Sequence, residues 1–180
     1  MRYLTMALAL LCFTLTLSQE KKKSKIGRIS FEASIPSFEE VKGTNDKVYC
    51  VLNTKTGDFT SIALINDFNF KLPLMKTHFN ENYMESHRYP RATFKGKIDG
   101  FNWNIVGSEL KPFKLKGKLE IHGKIKEINT IALLRKLENT LEISSEFEVN
   151  TDDFDVSIPL IVRSKIAKIV FIKTLFLVNN

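Results

Sequence analysis

Few side chains in this 180-residue chain could do chemistry. The imidazoles are His78, His87 and His122, and the thiols are Cys12 and Cys50. A zinc site needs three or four ligands that converge. His78 and Glu81 could face together on a helical turn, but no third ligand is evident, so no metal site is assigned. Carboxylates occur in pairs as Glu39-Glu40, Asp152-Asp153 and Glu81 with Glu85. Neighbours on a strand point to opposite faces, and Glu81 with Glu85 reads as one solvated side of a helical turn. No G-x-S-x-G elbow is present to hold a nucleophile. Cys50, in Val48-Tyr49-Cys50-Val51-Leu52, sits in an apolar run that would keep a thiol inert. These residues predict no catalytic site, no enzyme activity and no cofactor. His78 and His122 are expected to bond loops or carbonyls near the end of a fold.

Residues 1–18 must be set aside before the fold is considered. Arg2 precedes an apolar run from Leu4 to Leu17, followed by Ser18 and the polar stretch Gln19-Glu20-Lys21-Lys22-Lys23. This is the order of a secretory signal, with cleavage expected after Ser18. The run is short for a membrane span. Leu11 is too bulky to precede a lipidated cysteine at Cys12. The expected organisation is a signal peptide over 1–18, a polar leader over 19–25 and one domain over 26–180. The expected location is periplasmic or secreted. Cys50 would then be the remaining thiol, so no internal disulfide is expected.

Hydrophobic alternation dominates the rest. From Phe113 to Ile125 the odd positions Phe113, Leu115, Gly117, Leu119, Ile121, Gly123 and Ile125 are apolar or glycine, and the even ones are polar. The pattern returns at Leu141, Ile143, Ser145, Phe147 and Val149, at Ala92, Phe94, Gly96 and Ile98, and at Ile29, Phe31 and Ala33. One dry and one wet face imply antiparallel sheet. Turn signals lie at 43–46, 56–58, 99–100 and 107–108. Thr54–Asp58 reads as a tight hairpin. Asp99-Gly100 is either a two-residue turn or a point passed by a longer strand that turns at 107–112. Met75–Ser86 breaks the rhythm and reads as one or two helical turns, ended by Tyr89-Pro90. Thr130–Leu137 is ambiguous. Ile158–Val178 is interrupted by Arg163, Lys165, Lys168 and Lys173, and reads as a terminal strand apolar on both faces rather than a membrane span. About eight strands suggest a closed barrel or a sandwich.

Two stretches carry a resemblance. Met75-Lys76-Thr77-His78-Phe79-Asn80-Glu81-Asn82-Tyr83-Met84-Glu85-Ser86 with Tyr89-Pro90-Arg91-Ala92-Thr93-Phe94-Lys95-Gly96 resembles the first signature of the YceI-like family. Gly117-Lys118-Leu119-Glu120-Ile121-His122-Gly123 resembles the second, and Asp153-Phe154 a third. The resemblance spans about residues 27–178. It implies an all-β, antiparallel lipocalin-like β-barrel of about eight strands with a short helical segment near 75–86. It also implies a long apolar cavity for a polyisoprenoid or quinone-like lipid. It favours the longer strand past Gly100.

A ligand cavity would be lined by Phe70, Leu72, Phe94, Gly96, Gly117, Leu119, Ile121 and Phe147, the glycines removing bulk where a chain must pass. Met75, Phe79, Tyr83 and Met84 suit a portal, since Met adapts its shape and Tyr joins an apolar ring to a polar tip. The expected function is an exported lipid carrier, buffer or sensor; the alternative is a filled barrel serving as a partner-binding scaffold. The net charge of +7 invites a nucleic-acid reading. However, the lysines at 114, 116, 118, 124 and 126, read as a stripe down one outer face, lack interleaved aromatics, so no nucleic-acid partner is expected. Contact with an anionic membrane surface is the remaining use for that stripe. The sequence does not specify an oligomeric state.

Overall fold

The computed structural model describes residues 21–24 and 26–179. The expected signal segment lies outside them. Ten strands form one antiparallel sheet: β1 (Lys21–Ser24), β2 (Ile26–Ser34), β3 (Lys42–Asn45), β4 (Tyr49–Asn53), β5 (Asp58–Leu64), β6 (Arg91–Ile98), β7 (Lys111–Ile121), β8 (Lys124–Leu137), β9 (Thr140–Asn150) and β10 (Ile166–Asn179). One helix, α1 (Pro73–His78), runs into a π-helical turn at Phe79–Tyr83.

The sheet closes on itself through its first strand. β1 pairs with β4, the Val48 amide donates to the Gly27 carbonyl, and β2 pairs with β3, all in one continuing antiparallel register. β1–β2 and β3–β4 therefore act as two interrupted staves. The other edge of β2 pairs with β10, from Phe171↔Glu32 to Leu177↔Ile26. The result is a ring of eight staves with no free outer pair of edges, the arrangement that removes a sheet's exposed hydrogen-bonding rows. The barrel begins at Lys21, inside the stretch expected to be a leader.

Period-two patterning positions the interior. Ile29, Phe31 and Ala33, then Phe59, Ser61 and Ala63, then Leu115, Leu119 and Ile121, then Ile143, Ser145, Phe147 and Val149 all face inward. The strand pairs agree with this, because residues opposite one another share a face. One end of the barrel is solid. Val48, Cys50, Leu52, Ile98, Phe113, Leu134, Leu141 and Val178 are buried there, with Phe101 and Val106 of the 99–110 loop packed beneath them.

Four expectations change. The alternation from 113 to 125 is two strands, not one: His122 and Gly123 take left-handed backbone (φ 50° and 72°) and form a two-residue turn, with Ile121 opposite Lys124. Gly123 kept the parity of the pattern and so concealed the turn. β6 neither turns at Asp99-Gly100 nor runs past it. It stops at Ile98, which pairs with Leu115, so Gly96 faces Gly117. Gly43–Asn45 is strand, with buried Asn45 donating to the Leu64 carbonyl and accepting from the Lys47 amide. Finally, 158–165 is a loop with a helical turn at Leu160–Val162, and the terminal strand starts at Ile166.

Candidate functional site

Above the solid end lies a cavity of about 360 Å³ with almost wholly apolar walls. That is within the size range of small-molecule sites, ~300–1,000 Å³. Its floor is a trio of rings. Phe59 contacts Phe94 at 6.3 Å and Phe176 at 5.2 Å between centroids. One side of its mouth is a second aromatic cluster, in which Phe79 meets Phe31, Phe68 and Phe70 at 5.2, 5.6 and 5.0 Å. The chain segments 35–41, 65–90, 122–123 and 151–165 all fall at this end of the barrel, because they join strands at the end opposite the solid one.

Of the residues expected to line a cavity, Phe70, Met75, Phe79, Tyr83, Met84, Phe94, Leu119, Ile121 and Phe147 do so. Leu72 does not: it caps the start of α1 and is partly exposed to solvent. Gly96 and Gly117 do not either. A Cβ on either would lie 2.6 Å from the Phe94 Cζ, and at Gly117 also 2.5 Å from the Gly96 Cα and the Lys95 carbonyl. The two glycines face each other across β6 and β7 and receive the Phe94 ring, which lies over both. Gly27 does the same for Phe176, whose Cδ1 would be 2.8 Å from a Cβ there. Bulk is removed for the floor rings, not for a ligand. These rings then fix the depth of the cavity.

Sequence reasoning missed much of the lining. Ser61, Ala63 and Thr174 are inward positions of small or polar type that no alternation marks, whereas Ser145 lies on the dry face that the 141–149 alternation predicts. Ile158 and Val162 come from the 158–165 loop, which the sequence pattern reads as strand, Val156 from the stretch before it, and Ile166 and Ala167 from the start of β10. The inward hydroxyls bond within the wall. Ser145 Oγ and Thr174 Oγ1 are 2.8 Å apart, and Thr130 Oγ1 donates to the Glu146 carbonyl at 3.0 Å. Glu39, His78, Tyr83 and Lys165 bring the polar groups of the lining to the mouth region. Burial raises the Tyr83 pKa, so its phenol is a neutral donor there. Thr151 Oγ1, also in the lining, is buried with no bonding partner.

His122 ties the mouth together. Its Nε2 faces Glu85 Oε2 at 2.9 Å and its Nδ1 faces the Phe154 carbonyl at 3.2 Å, while its ring stands edge-on to Tyr89 at 4.5 Å. Both nitrogens thus face oxygen atoms. Glu85 itself is held at φ 42°. The two signature stretches meet here, although His78 does not join them. His122 sits at the hairpin tip, not on a polar strand face.

β8 and β9 pair only from Ala132↔Ser145 to Leu137↔Thr140. Towards the mouth they part, and the turn Thr151–Phe154 straddles the gap. There Lys126 meets Asp153 at 3.0 Å and Lys124 meets Asp155 at 2.7 Å. These lysines therefore leave the expected outer stripe. Lys114, Lys116 and Lys118 remain on the outer wall, where Lys95 and Lys97 of β6 stand opposite Lys118 and Lys116.

An antiparallel barrel, solid at one end and hollow at the other, with a short helix beside the opening, is a lipocalin-like architecture. A model of the YceI-like domain matches residues 19–175, and the chain belongs to that family. Solved structures share the fold. A polyisoprenoid binding domain from Saccharophagus degradans, implicated in plant cell wall breakdown, superposes with a TM-score of 0.75 at 14% identity, over 88% of this chain and 97% of that one. BcnA from Burkholderia cenocepacia gives 0.69 at 18% identity, covering 86% and 96%. A YCEI protein from Campylobacter jejuni gives 0.64 at 17%, covering 81% and 88%. No curated protein matches the chain.

Proposed function

We propose that this protein is exported and holds one long apolar lipid, of polyisoprenoid or quinone-like type, as a carrier, buffer or sensor without acting on it chemically. The observation that carries this reading is the hollow half of the barrel, about 360 Å³ bounded by Phe, Ile, Leu, Val and Ala side chains. Each buried methylene of a ligand gains ~0.8 kcal/mol, so a five-carbon isoprene unit contributes several kcal/mol. Ordering the chain opposes this. Affinity should therefore rise with chain length until the tail reaches the Phe59–Phe94–Phe176 floor, then level off. The description of the Saccharophagus domain as polyisoprenoid binding supports the ligand class. Of the wall hydroxyls, Ser145 and Thr174 bond one another and Thr130 bonds the Glu146 carbonyl, which supports a reading without chemistry at depth.

The test is organic extraction of protein purified without detergent, followed by mass spectrometry, with uptake of isoprenols of graded length by the stripped protein. A long-chain lipid at about one per protein supports the reading. Protein that is empty as purified and takes up none of the series would refute it.

A further inference from the structure

The turn after Asp155 has two faces. Ile158 and Val162 point into the cavity, whereas Leu160 and Ile161 between them are 80% and 86% exposed, far more than other large apolar residues of the described chain. Leu74 at the start of α1 is 64% exposed and Phe38 in the 35–41 loop is 47% exposed. All four project from loops or the helix at the mouth end, not from the outer wall. Isolated exposed apolar residues are ordinary; several gathered round the opening of an apolar cavity mark a contact surface.

Beside Leu160, Ile161 and Leu74 the charges are cationic, whereas Phe38 is followed by Glu39 and Glu40, the second of them 4.0 Å from Lys42. Arg163 and Lys165 follow the exposed pair, and Lys71 precedes Leu74; none has a carboxylate partner among the described residues. The carboxylates of the neighbouring turn are neutralised by Lys168, Lys126 and Lys124. Apolar tips with adjoining uncompensated cations match the order of a bilayer surface, where acyl chains lie below and anionic head groups above.

We propose that the mouth end docks on an anionic lipid bilayer, with Leu160 and Ile161 inserted among the head groups and Arg163 and Lys71 against their phosphates. This rests on the lipid-holding reading in one respect: docking there would open the cavity directly onto the membrane from which a chain is drawn. The outer lysine wall of β6 and β7 plays no part in it.

The experiment is flotation of the protein with phosphatidylcholine vesicles, with and without phosphatidylglycerol. Uptake of a long isoprenol from detergent micelles is measured separately. Wild type should float with the phosphatidylglycerol vesicles, less with phosphatidylcholine alone, and less at high salt. Leu160→Asp with Ile161→Asp should lower partitioning by about tenfold or more. Lys71→Gln with Arg163→Gln should remove the preference for phosphatidylglycerol. Both pairs lie outside the cavity lining, so micellar uptake should stay at the wild-type level. Wild type that floats with neither vesicle, or an aspartate variant that floats like wild type, overturns the docking. Flotation that responds to the variants while no isoprenol enters the cavity leaves the docking intact and refutes the lipid-holding reading instead.

Discussion

Phe94 and the glycines beneath it have a sharp energetic signature. Phe94→Ala removes the floor ring and leaves two bare glycines facing each other, at a cost of ~3–5 kcal/mol by the usual range for buried aromatics. Urea unfolding should show it as a lower midpoint. Gly117→Leu should fail differently from a simple plug. Its Cβ meets backbone atoms of β6, so the expected result is loss of the β6–β7 pairing and of soluble folded protein. Ala92→Phe is the appropriate plug. Ala92 lines the cavity and faces open space, so the variant should fold with a near-native far-ultraviolet spectrum and lose isoprenol uptake. At this scale the sequence was informative about inside and outside within each strand, but not across the concealed turn at His122-Gly123, beyond which Ile125 is exposed. It was silent about the glycines' partner, because Phe94 reaches Gly117 only through a register that no local pattern records.

Among the elements, the 65–90 segment depends on a few tethers. Glu85 and His122 join it to the β7–β8 hairpin, and His122 joins both to the Phe154 turn. His122→Ala should cost ~1–3 kcal/mol, the penalty for partly buried groups left unpaired. Limited proteolysis should then cut within 79–90 while the strands stay protected. A separate tether at this end, joining the β7–β8 hairpin to the turn after β9, is the Lys124–Asp155 pair. Lys124 lowers the Asp155 pKa, and Asp155 in turn raises that of Lys124. The depressed carboxylate contributes above its ordinary value and its contribution fades as pH drops through the folded value. The raised amine contributes below its ordinary value and fades as pH climbs through the folded one. Both groups are exposed, so the effect is local. Protection of the 151–156 amides, relative to their intrinsic exchange rates, should fall below pH ~4, and Asp155→Asn should show that lower protection at neutral pH as well. The elements were unevenly legible. Helical spacing marked 75–86. Apolar residues in 158–165 imitated strand because a loop that lines a cavity needs the same residue types.

For the whole molecule, an occupied cavity must raise stability. A ligand at about a hundred times its dissociation constant adds ~2.7 kcal/mol when it binds only the folded state. Stripping the protein of lipid should lower its melting temperature, and refilling with isoprenol should restore it in proportion to chain length. Identical melting of stripped and refilled protein would mean that nothing occupies the hollow half. Barrel closure was anticipated from strand number and family resemblance. Its means were not, since the stretch that supplies β1 reads as a polar leader and 43–46 as a turn.

The solid half of the barrel also imposes a direction. On the proposed lipid-holding reading, a sleeve blocked at its base would admit a chain only tail foremost, and the polar terminus would be the last part to enter and the first to leave. Whatever stands at the opening would meet that terminus while the rest of the chain stayed sheathed. A second protein could thus recognise or modify the exposed head without unloading the cargo, and a surplus of tail would protrude instead of coiling inside.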